Sequence, residues 1–225
     1  MHIVSFLIVM LLLAVVIGYI WAASHPTIKI LAREDRDVLH SMFARVHDSL
    51  TKEQIQYVLV GGALLGAVRG RELLMWDDDV DIWCKRVDEI KVRAALQDLG
   101  LVLEEKGFGV AAKSPHNDAV FLDVFFVEIT DGNYTCIGHP DCARQMIPVH
   151  EWEEARLHPL RDYQVRIPKT AEAYLEAQYG ADWETRVLAR PMHSESRLKG
   201  LFHFTWLYVL LADVLRGKKS PSNLW

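Results

Sequence analysis

Four of the five residues at positions 77 to 81 are aspartates: Asp77, Asp78, Asp79 and Asp81. Like charges this close repel and raise each other's pKa values, so the cluster indicates that a cation compensates them. If the segment is a strand, Asp77, Asp79 and Asp81 share one face. Carboxylate oxygens on one face are the hard ligands that Mg²⁺ and Mn²⁺ prefer, so the pattern predicts a divalent-metal site.

Two other interpretations of the acidic cluster are weaker. An EF-hand calcium loop beginning at Asp77 would need glycine where the chain has Ile82 and glutamate where it has Asp88. The flanking residues also predict strands, whereas an EF-hand lies between two helices. A solvated acidic loop is the other alternative, and the apolar Val80 and Ile82 disfavour it.

A single carboxylate, Asp123, lies in the apolar segment 119–129, which is the strongest predicted strand. An unpaired buried charge is very costly, so this side chain must be paired, protonated or bound to a metal. A structural salt bridge is one solution. Beside Asp79 and Asp81, Asp123 would instead complete a three-carboxylate metal site.

Two glycines, Gly61 and Gly62, stand between a predicted strand and a short predicted helix. Backbone N–H groups at a helix N-terminus favour anions, so this turn is a candidate phosphate site. Arg69 could neutralise phosphate oxygens there, or it could be an ordinary surface arginine. The segment matches neither the dinucleotide-binding glycine motif nor the P-loop.

The spacing of apolar residues predicts the elements that must position these groups. The predicted helices cover 34–50, 63–69, 87–99 and 171–179, and the predicted strands cover 57–60, 80–83, 101–105, 110–113 and 119–129. Because strands and helices mix without a regular βαβ rhythm, the predicted fold class is α+β, with a mixed sheet flanked by helices.

The composition of the chain excludes several functional classes. Its 225 residues carry a net charge of -5, without the basic excess of nucleic-acid binders, so we expect no nucleic-acid partner. Positions 1–28 contain no Asp, Glu, Lys or Arg, whereas the remainder has an ordinary soluble composition. The distribution predicts an apolar leader and one globular domain, and it excludes disordered and multi-span membrane proteins.

The apolar leader predicts a membrane anchor. Residues 3–23 would form a helix roughly 30 Å long, which matches the hydrocarbon core of a bilayer. A cleaved signal peptide is the alternative, but the run is longer than usual and lacks a basic start. The predicted organisation is therefore an anchor over 1–24, a linker over 25–33, a catalytic domain over 34–200, and an apolar helix with a basic tail over 201–225.

Cys136, His139 and Cys142 form a compact cluster of three residues whose types, cysteine and histidine, bind metals. A zinc site would need a fourth ligand from elsewhere, and we consider it the less favoured interpretation. A disulfide between the two cysteines and a pair of free thiols are the alternatives.

Three segments of the sequence closely resemble the LicD/fukutin family of the nucleotidyltransferase superfamily. They are Gly-Gly-Ala-Leu-Leu-Gly-Ala-Val-Arg at 61–69, Trp-Asp-Asp-Asp-Val-Asp-Ile at 76–82 and Phe-Leu-Asp-Val-Phe-Phe at 121–126. The resemblance covers about 35 to 185 and includes the family's Tyr-Gly-x-x-Trp segment at 179–183. Ala63 departs from the Thr or Ser that is common in the family, but no carboxylate is lost.

The resemblance implies a nucleotidyltransferase-like fold and a transferase that uses Mg²⁺ or Mn²⁺. Such enzymes move a phospho-alcohol, for example phosphocholine or ribitol phosphate, from a CDP-linked donor to a hydroxyl of a glycan or glycoconjugate. By this resemblance Asp79 and Asp81 bind the metal, Asp77 supports them, and Asp123 is the third carboxylate. Transfer of a nucleoside monophosphate to a sugar or small acceptor is the enzymatic alternative. A non-catalytic glycan-binding or scaffold protein is the other alternative.

The orientation of the predicted anchor depends on two conflicting signals. The cations Lys29, Arg33 and Arg36 follow the apolar run, which favours a cytoplasmic domain. The family resemblance implies instead a single-pass protein with its catalytic domain in the Golgi or ER lumen. We expect the lumenal orientation, in which the Asn133-Tyr-Thr triplet, in a predicted turn, would accept a glycan.

Overall fold

The computed structural model of the chain describes residues 31–75, 77–139, 142, 145–181, 183 and 184, and four positions before residue 17, namely 10, 13, 15 and 16. Apart from those four positions, the predicted anchor over 3–23 lies outside the described residues. The predicted C-terminal helix over 201–225 also lies outside them. Within the described part of the chain, none of the helices combines the length and the apolar character that crossing a membrane requires.

Four of the five α-helices in the described part of the chain follow the predicted apolar spacing closely, and the short helix Val149–Glu153 was not predicted. The five are α1 (Arg33–Lys52), α2 (Gly61–Gly70), α3 (Glu89–Asp98), α4 (Val149–Glu153) and α5 (Ala171–Tyr179). Helix α1 buries one apolar stripe that includes Leu39, Phe43, Val46 and Leu50. The helix predicted over 87–99 begins as a 3₁₀ turn, Arg86–Asp88, before α3.

Nine strands lie in the described residues. They are β1 (Tyr57–Leu59), β2 (Asp79–Lys85), β3 (Val102–Lys106), β4 (Gly109–Ser114), β5 (Asn117–Thr130), β6 (Asn133–Thr135), β7 (Met146–Pro148), β8 (Arg156–Leu160) and β9 (Tyr163–Ile167). Seven of them form one sheet with the order β1-β2-β5-β4-β3, and β6 and β7 extend it from β5. Only β2 and β5 are parallel in this sheet, so the predicted mixed sheet is confirmed.

Strands β2 and β5 alternate between a buried and a less buried face. In β5, Val120, Leu122 and Val124 are buried, whereas Asp123 between them is partly accessible. In β2, Val80 and Ile82 are buried in the same way. The apolar residues fix which face of each strand enters the core, and the aspartates are left on the opposite face.

The segment between residues 133 and 167 contains structure that the sequence patterns did not predict. Strands β6 and β7 and helix α4 span three to five residues each, too short to show a period. Strands β8 and β9 form a separate hairpin. The predicted turn is present, because Asp131 and Gly132 have positive φ angles of 49° and 76° and Thr130 pairs with Asn133 across them. Asn133 is also the first residue of β6, and its side-chain amide donates to the Asp131 carbonyl at 3.0 Å.

Cys136 and Cys142 are joined by a disulfide, with their Cα atoms 5.1 Å apart. The two sulfur atoms are bonded to each other, so neither is a free thiolate ligand for the less favoured zinc site. The His139 ring instead meets the edges of the stacked Phe108 and Phe125 rings, at 5.6 and 5.8 Å between centroids. The remaining cysteine, Cys84, is buried in β2.

Candidate active site

Three of the predicted carboxylates meet on the less buried face of β2 and β5. The two strands are parallel, and their register places Asp81 directly beside Asp123. Asp79 lies two residues before Asp81 and therefore on the same face. Each of the three offers a carboxylate oxygen, and these oxygens lie within 4.8 Å of one another. This donor set fits a hard divalent cation such as Mg²⁺ or Mn²⁺.

Asp77 is placed differently from these three. The prediction that Asp77 shares a strand face with Asp79 is wrong, because β2 begins at Asp79. Its carboxylate lies against Gly62 at the start of α2, where a methyl group on that glycine would overlap it. Asp77 does not belong to the three-carboxylate group. Its predicted role as a metal ligand stays a prediction, and its observed contact is with a helix terminus.

Gly61 and Gly62, the two glycines of the predicted phosphate turn, have no side chain, and this lets carboxylates lie close to the start of α2. A Cβ atom on Gly61 would lie 2.6 Å from Oδ2 of Asp81, and Gly61 also has a positive φ of 60°. The N–H of Leu64 donates to the Val60 carbonyl at 3.1 Å, and the N–H groups of 61 to 63 precede this bond. The positive end of the helix dipole therefore faces Asp77 and Asp81 and favours their negative charge.

Arg69 lies at the opposite end of α2 from the glycines, about 10 Å along the helix axis. A cation in the last turn of a helix is favourable by itself, because the C-terminus carries the negative end of the dipole. The structure therefore gives Arg69 a favourable position without any ligand. Its predicted contact with a phosphate stays a prediction.

The electrostatic environment of the carboxylates disfavours their charged forms. Burial, followed by the charge of Asp81, raises the pKa of Asp79 well above its usual value. Burial and then the charge of Asp78 raise the pKa of Asp77 to about 7. Perturbed carboxylates that converge in one place are typical of functional sites. A bound cation would offset the same charges.

A loop of five residues, Arg71 to Met75, carries the chain from α2 into the acidic segment. The Arg71 N–H donates to the Ala67 carbonyl at 2.9 Å, and the Leu31 N–H donates to the Met75 carbonyl at 2.9 Å. The loop also packs on Gly66, where a Cβ would lie 2.5 Å from the Glu72 carbonyl oxygen. The path of the chain towards Asp77 is therefore fixed at both ends.

Glu72, in the middle of this loop, is a charged residue that the sequence analysis missed. Its carboxylate accepts hydrogen bonds from Nε2 of the buried His40 and from Nε of Arg161, which lies 2.7 Å from Oε2. Burial would raise the pKa of Glu72, but these hydrogen bonds outweigh it and lower the pKa to about 2. His40 on α1 is one sequence signal of this cluster, since it lies on the buried stripe of an amphipathic helix.

The family model of the LicD/FKTN/FKRP nucleotidyltransferase domain matches residues 54–170, just over half of the chain. The chain belongs to this family. The match includes Gly61, Gly62 and the three carboxylates of the candidate site.

Two relatives show how far the LicD/FKTN/FKRP similarity extends. The chain is 30% identical over 165 residues to an uncharacterized protein of Rickettsia prowazekii (strain Madrid E), covering 69% of this chain and 59% of that protein. It is 34% identical over 58 residues to the lipopolysaccharide cholinephosphotransferase LicD of Haemophilus influenzae, covering 26% of this chain and 22% of that protein. The chain thus spans about three fifths of the length of the Rickettsia relative.

Solved structures similar to the chain include an antibiotic-resistance factor and an antibiotic adenylyltransferase. The antibiotic-resistance factor ANT(2'')-Ia has a TM-score of 0.47 at 15% identity, covering 81% of this chain and 91% of that chain. The lincosamide antibiotic adenylyltransferase LnuA, bound to lincomycin, has a TM-score of 0.45 at 18% identity, covering 78% of this chain and 94% of that chain.

We predict that Asp79→Asn, Asp81→Asn and Asp123→Asn each leave the protein at least as stable as wild type in EDTA. At 4.8 Å two like charges repel by about 3.5 kcal/mol at an effective dielectric constant of about 20, and each substitution removes a carboxylate that must otherwise carry this charge or take up a proton. Urea unfolding measures the change. Asp118→Asn, at an exposed position of β5, is the matched control and should change stability by less than about 0.5 kcal/mol. A large loss for Asp123→Asn would favour the structural salt bridge.

We predict that the effect of Gly62→Ala on stability reverses its sign when Asp77 is truncated. In the wild-type background the new methyl group overlaps the Asp77 carboxylate and should cost about 1–3 kcal/mol. In the Asp77→Ala background the same change should be neutral or stabilising, because alanine is about 1 kcal/mol better than glycine within a helix. A double-mutant cycle in urea measures the coupling. If Gly62→Ala destabilised the wild type and the Asp77→Ala variant equally, the contact with the Asp77 carboxylate would not be the reason for glycine at this position.

Proposed function

We propose that the chain is a transferase that moves a phospho-alcohol from a CDP-linked donor to a hydroxyl of a glycan or glycoconjugate, using Mg²⁺ or Mn²⁺. The observation that carries the proposal is the parallel register of β2 and β5, which brings together Asp79, Asp81 and Asp123. Membership in the LicD/FKTN/FKRP family supports the reaction class. The similarity to the lipopolysaccharide cholinephosphotransferase LicD of Haemophilus influenzae supports a phospho-alcohol such as phosphocholine.

The three carboxylates would hold the cation. Asp79 and Asp81 are the principal ligands in this proposal, and Asp123 completes the set from the neighbouring strand. A bound divalent cation would neutralise part of the negative charge on the donor diphosphate. Without such a cation, these carboxylates would repel the donor.

The transfer step forms one phosphorus–oxygen bond and breaks another. The acceptor hydroxyl oxygen bonds to the phosphorus that carries the alcohol, and the bond between this phosphorus and the CMP oxygen breaks. The hydroxyl proton goes to a carboxylate, for which Asp123 is the candidate because it lies beside Asp81. The products are CMP and a phosphodiester on the acceptor.

The start of α2 would bind the donor phosphates through the N–H groups of Gly61 and Gly62. Because the Asp77 carboxylate lies against Gly62, a phosphate can approach this glycine only when a cation or a proton offsets the charge of Asp77. Metal and donor are therefore expected to bind together. This expectation gives Asp77 a part in donor binding that does not require it to be a metal ligand.

We predict that the full chain, purified in detergent, releases CMP from CDP-choline, CDP-ribitol or CDP-glycerol when a glycan acceptor and Mg²⁺ or Mn²⁺ are present. Excess EDTA should abolish the release, and added metal should restore it. Asp79→Asn, Asp81→Asn and Asp123→Asn should each lower the rate by about a hundredfold or more, whereas Asp118→Asn should leave it unchanged.

The leaving group distinguishes this reaction from its rivals. Release of pyrophosphate from a nucleoside triphosphate, without CMP from any CDP-alcohol, would show transfer of a nucleoside monophosphate instead. Glycan binding with neither product would favour a non-catalytic protein.

We propose that the chain is a single-pass membrane protein, anchored through residues 3–23, with its catalytic domain in the Golgi or ER lumen. The disulfide between Cys136 and Cys142 supports this assignment, because such bonds persist in oxidising compartments and are rare in the cytosol. A domain that faces the cytoplasm is the alternative.

We predict that Cys136 and Cys142 resist alkylation before the protein is reduced. To measure this, whole cells are quenched in acid and then treated with a thiol reagent under denaturing conditions. Mass spectrometry should find them modified only after reduction. Protease added to the cytosolic face of sealed membranes should leave the domain intact. Alkylation of Cys136 and Cys142 before reduction, together with cleavage by the protease, would assign the domain to the cytoplasm.

A further inference from the structure

The face of the sheet that carries the three carboxylates continues beyond β5 onto β4 and β3. Paired residues on neighbouring strands point to the same face of a sheet. Asp123 of β5 pairs with Ala111 of β4, which in turn pairs with Glu104 of β3. Phe121 of β5 lies beside Asp79 on one side and beside Lys113 on the other. Lys113 therefore lies on the carboxylate face, level with Asp79 across the strands β2, β5 and β4.

Lys113 is also close to Asp123. The two residues are diagonal neighbours across β4 and β5, a relation in which Cα atoms lie roughly 7–8 Å apart. The side chain opposite Asp123 is the small Ala111, so no bulky group from β4 stands next to that carboxylate. The Lys113 ammonium lies 5.9 Å from the centre of the Phe121 ring. A four-carbon stem allows this ammonium to reach over either neighbour.

The observed partner of Lys113 is a carboxylate that it shares with a second lysine. Lys113 Nζ donates to Oε2 of Glu104 at 2.5 Å, and Lys106 Nζ donates to Oε1 of the same residue at 2.5 Å. Both lysine side chains are 34% exposed. Exposed ion pairs contribute little to stability, and Glu104 would keep Lys106 as its partner if Lys113 moved away. Lys113 can therefore leave Glu104 at a small cost in free energy.

The charge of Lys113 suits the anion that this site would receive. The hydrogen bond to Glu104, opposed in part by burial, raises the pKa of Lys113, and the charges of Glu104 and Asp123 add to the increase. The side chain is thus a cation at neutral pH. A donor diphosphate placed at the three carboxylates brings further negative charge to this face of the sheet. A cation beside the diphosphate offsets part of that charge when the donor binds.

We propose that Lys113 binds a phosphate group of the donor, exchanging its ion pair with Glu104 for one with the diphosphate beside Asp123. The inference rests on the proposed function, since it assumes a phosphate-bearing donor at the carboxylates. It assigns to β4 a part in donor recognition that the acidic motif and the glycine turn do not supply. Glu104 then acts as a competing anion that holds the ammonium before the donor arrives.

Lys113→Met tests the proposal, and Lys106→Met is its matched control. Both lysines pair with Glu104 at the same distance and are equally exposed. Lys106 lies on β3, one strand further from Asp123 than Lys113, which lies on β4 beside β5. Calorimetry in Mn²⁺ measures the affinity of the full chain for inorganic pyrophosphate and for CDP. Lys113→Met should weaken both by about tenfold or more, because it removes a charge-assisted hydrogen bond. Lys106→Met should change them by less than about threefold.

Two further variants separate a phosphate contact from a general effect of charge. Lys113→Arg keeps the cation and should retain most of the affinity. Glu104→Gln removes the competing anion and should leave the affinity unchanged or tighter, although it breaks the same ion pair as Lys113→Met. In turnover with a CDP-alcohol, Lys113→Met should raise the donor KM more than it lowers kcat. Circular dichroism and thermal unfolding confirm that each variant is folded.

Several outcomes would overturn the proposal. Wild-type affinity in Lys113→Met would do so, and so would equal losses in Lys113→Met and Lys106→Met. A loss in Glu104→Gln as large as that in Lys113→Met would show that the ion pair itself matters. If the wild type bound pyrophosphate but not CDP and released no CMP, the proposed donor would be wrong. The pyrophosphate affinities of the lysine variants would still decide the role of Lys113.

Discussion

The parallel pairing of β2 with β5 is the interaction on which the candidate site depends. It places Asp81 beside Asp123, and it requires a long crossover between the two strands. That crossover contains α3, β3 and β4, and the last two strands extend the same sheet on the far side of β5. One topological choice thus supplies both the carboxylates and the face on which Lys113 lies. The repulsion among the carboxylates is the cost of the arrangement, and the N-terminus of α2 offsets part of it.

A second group of charged and polar residues, centred on Glu72, lies outside the candidate site and fixes the loop that leads to it. Glu72 joins α1 through His40 and the β8–β9 turn through Arg161, whose own N–H donates to the Arg71 carbonyl at 2.8 Å. Arg161 also donates to Asp37 of α1 at 2.8 Å. Three parts of the chain that are distant in sequence therefore meet at the loop before Asp77. Since the carboxylate of Glu72 accepts bonds from two cationic or polar groups, its charge is compensated within the fold.

The local parts of this structure could be predicted from the sequence, and its long-range parts could not. The apolar stripe of α1 and the alternation in β5 each have a period, so their positions followed from spacing alone. Asp77 was misplaced because spacing cannot show where a strand begins, and β2 begins only at Asp79. The contact between Glu72 and Arg161 spans 89 positions, and the place of Lys113 depends on strand register. Neither relation leaves a periodic trace in the sequence.

The position of Cys84 has a practical consequence for observing the motions of β2. This thiol lies three residues after Asp81, it is fully buried, and burial raises its pKa, so a reagent cannot reach it in the folded sheet. The other two cysteines of the chain are joined to each other. Under conditions that keep the disulfide, the rate at which Cys84 is modified therefore reports how often β2 separates from its neighbours. The strand that carries two of the three carboxylates thus contains a natural probe of its own opening.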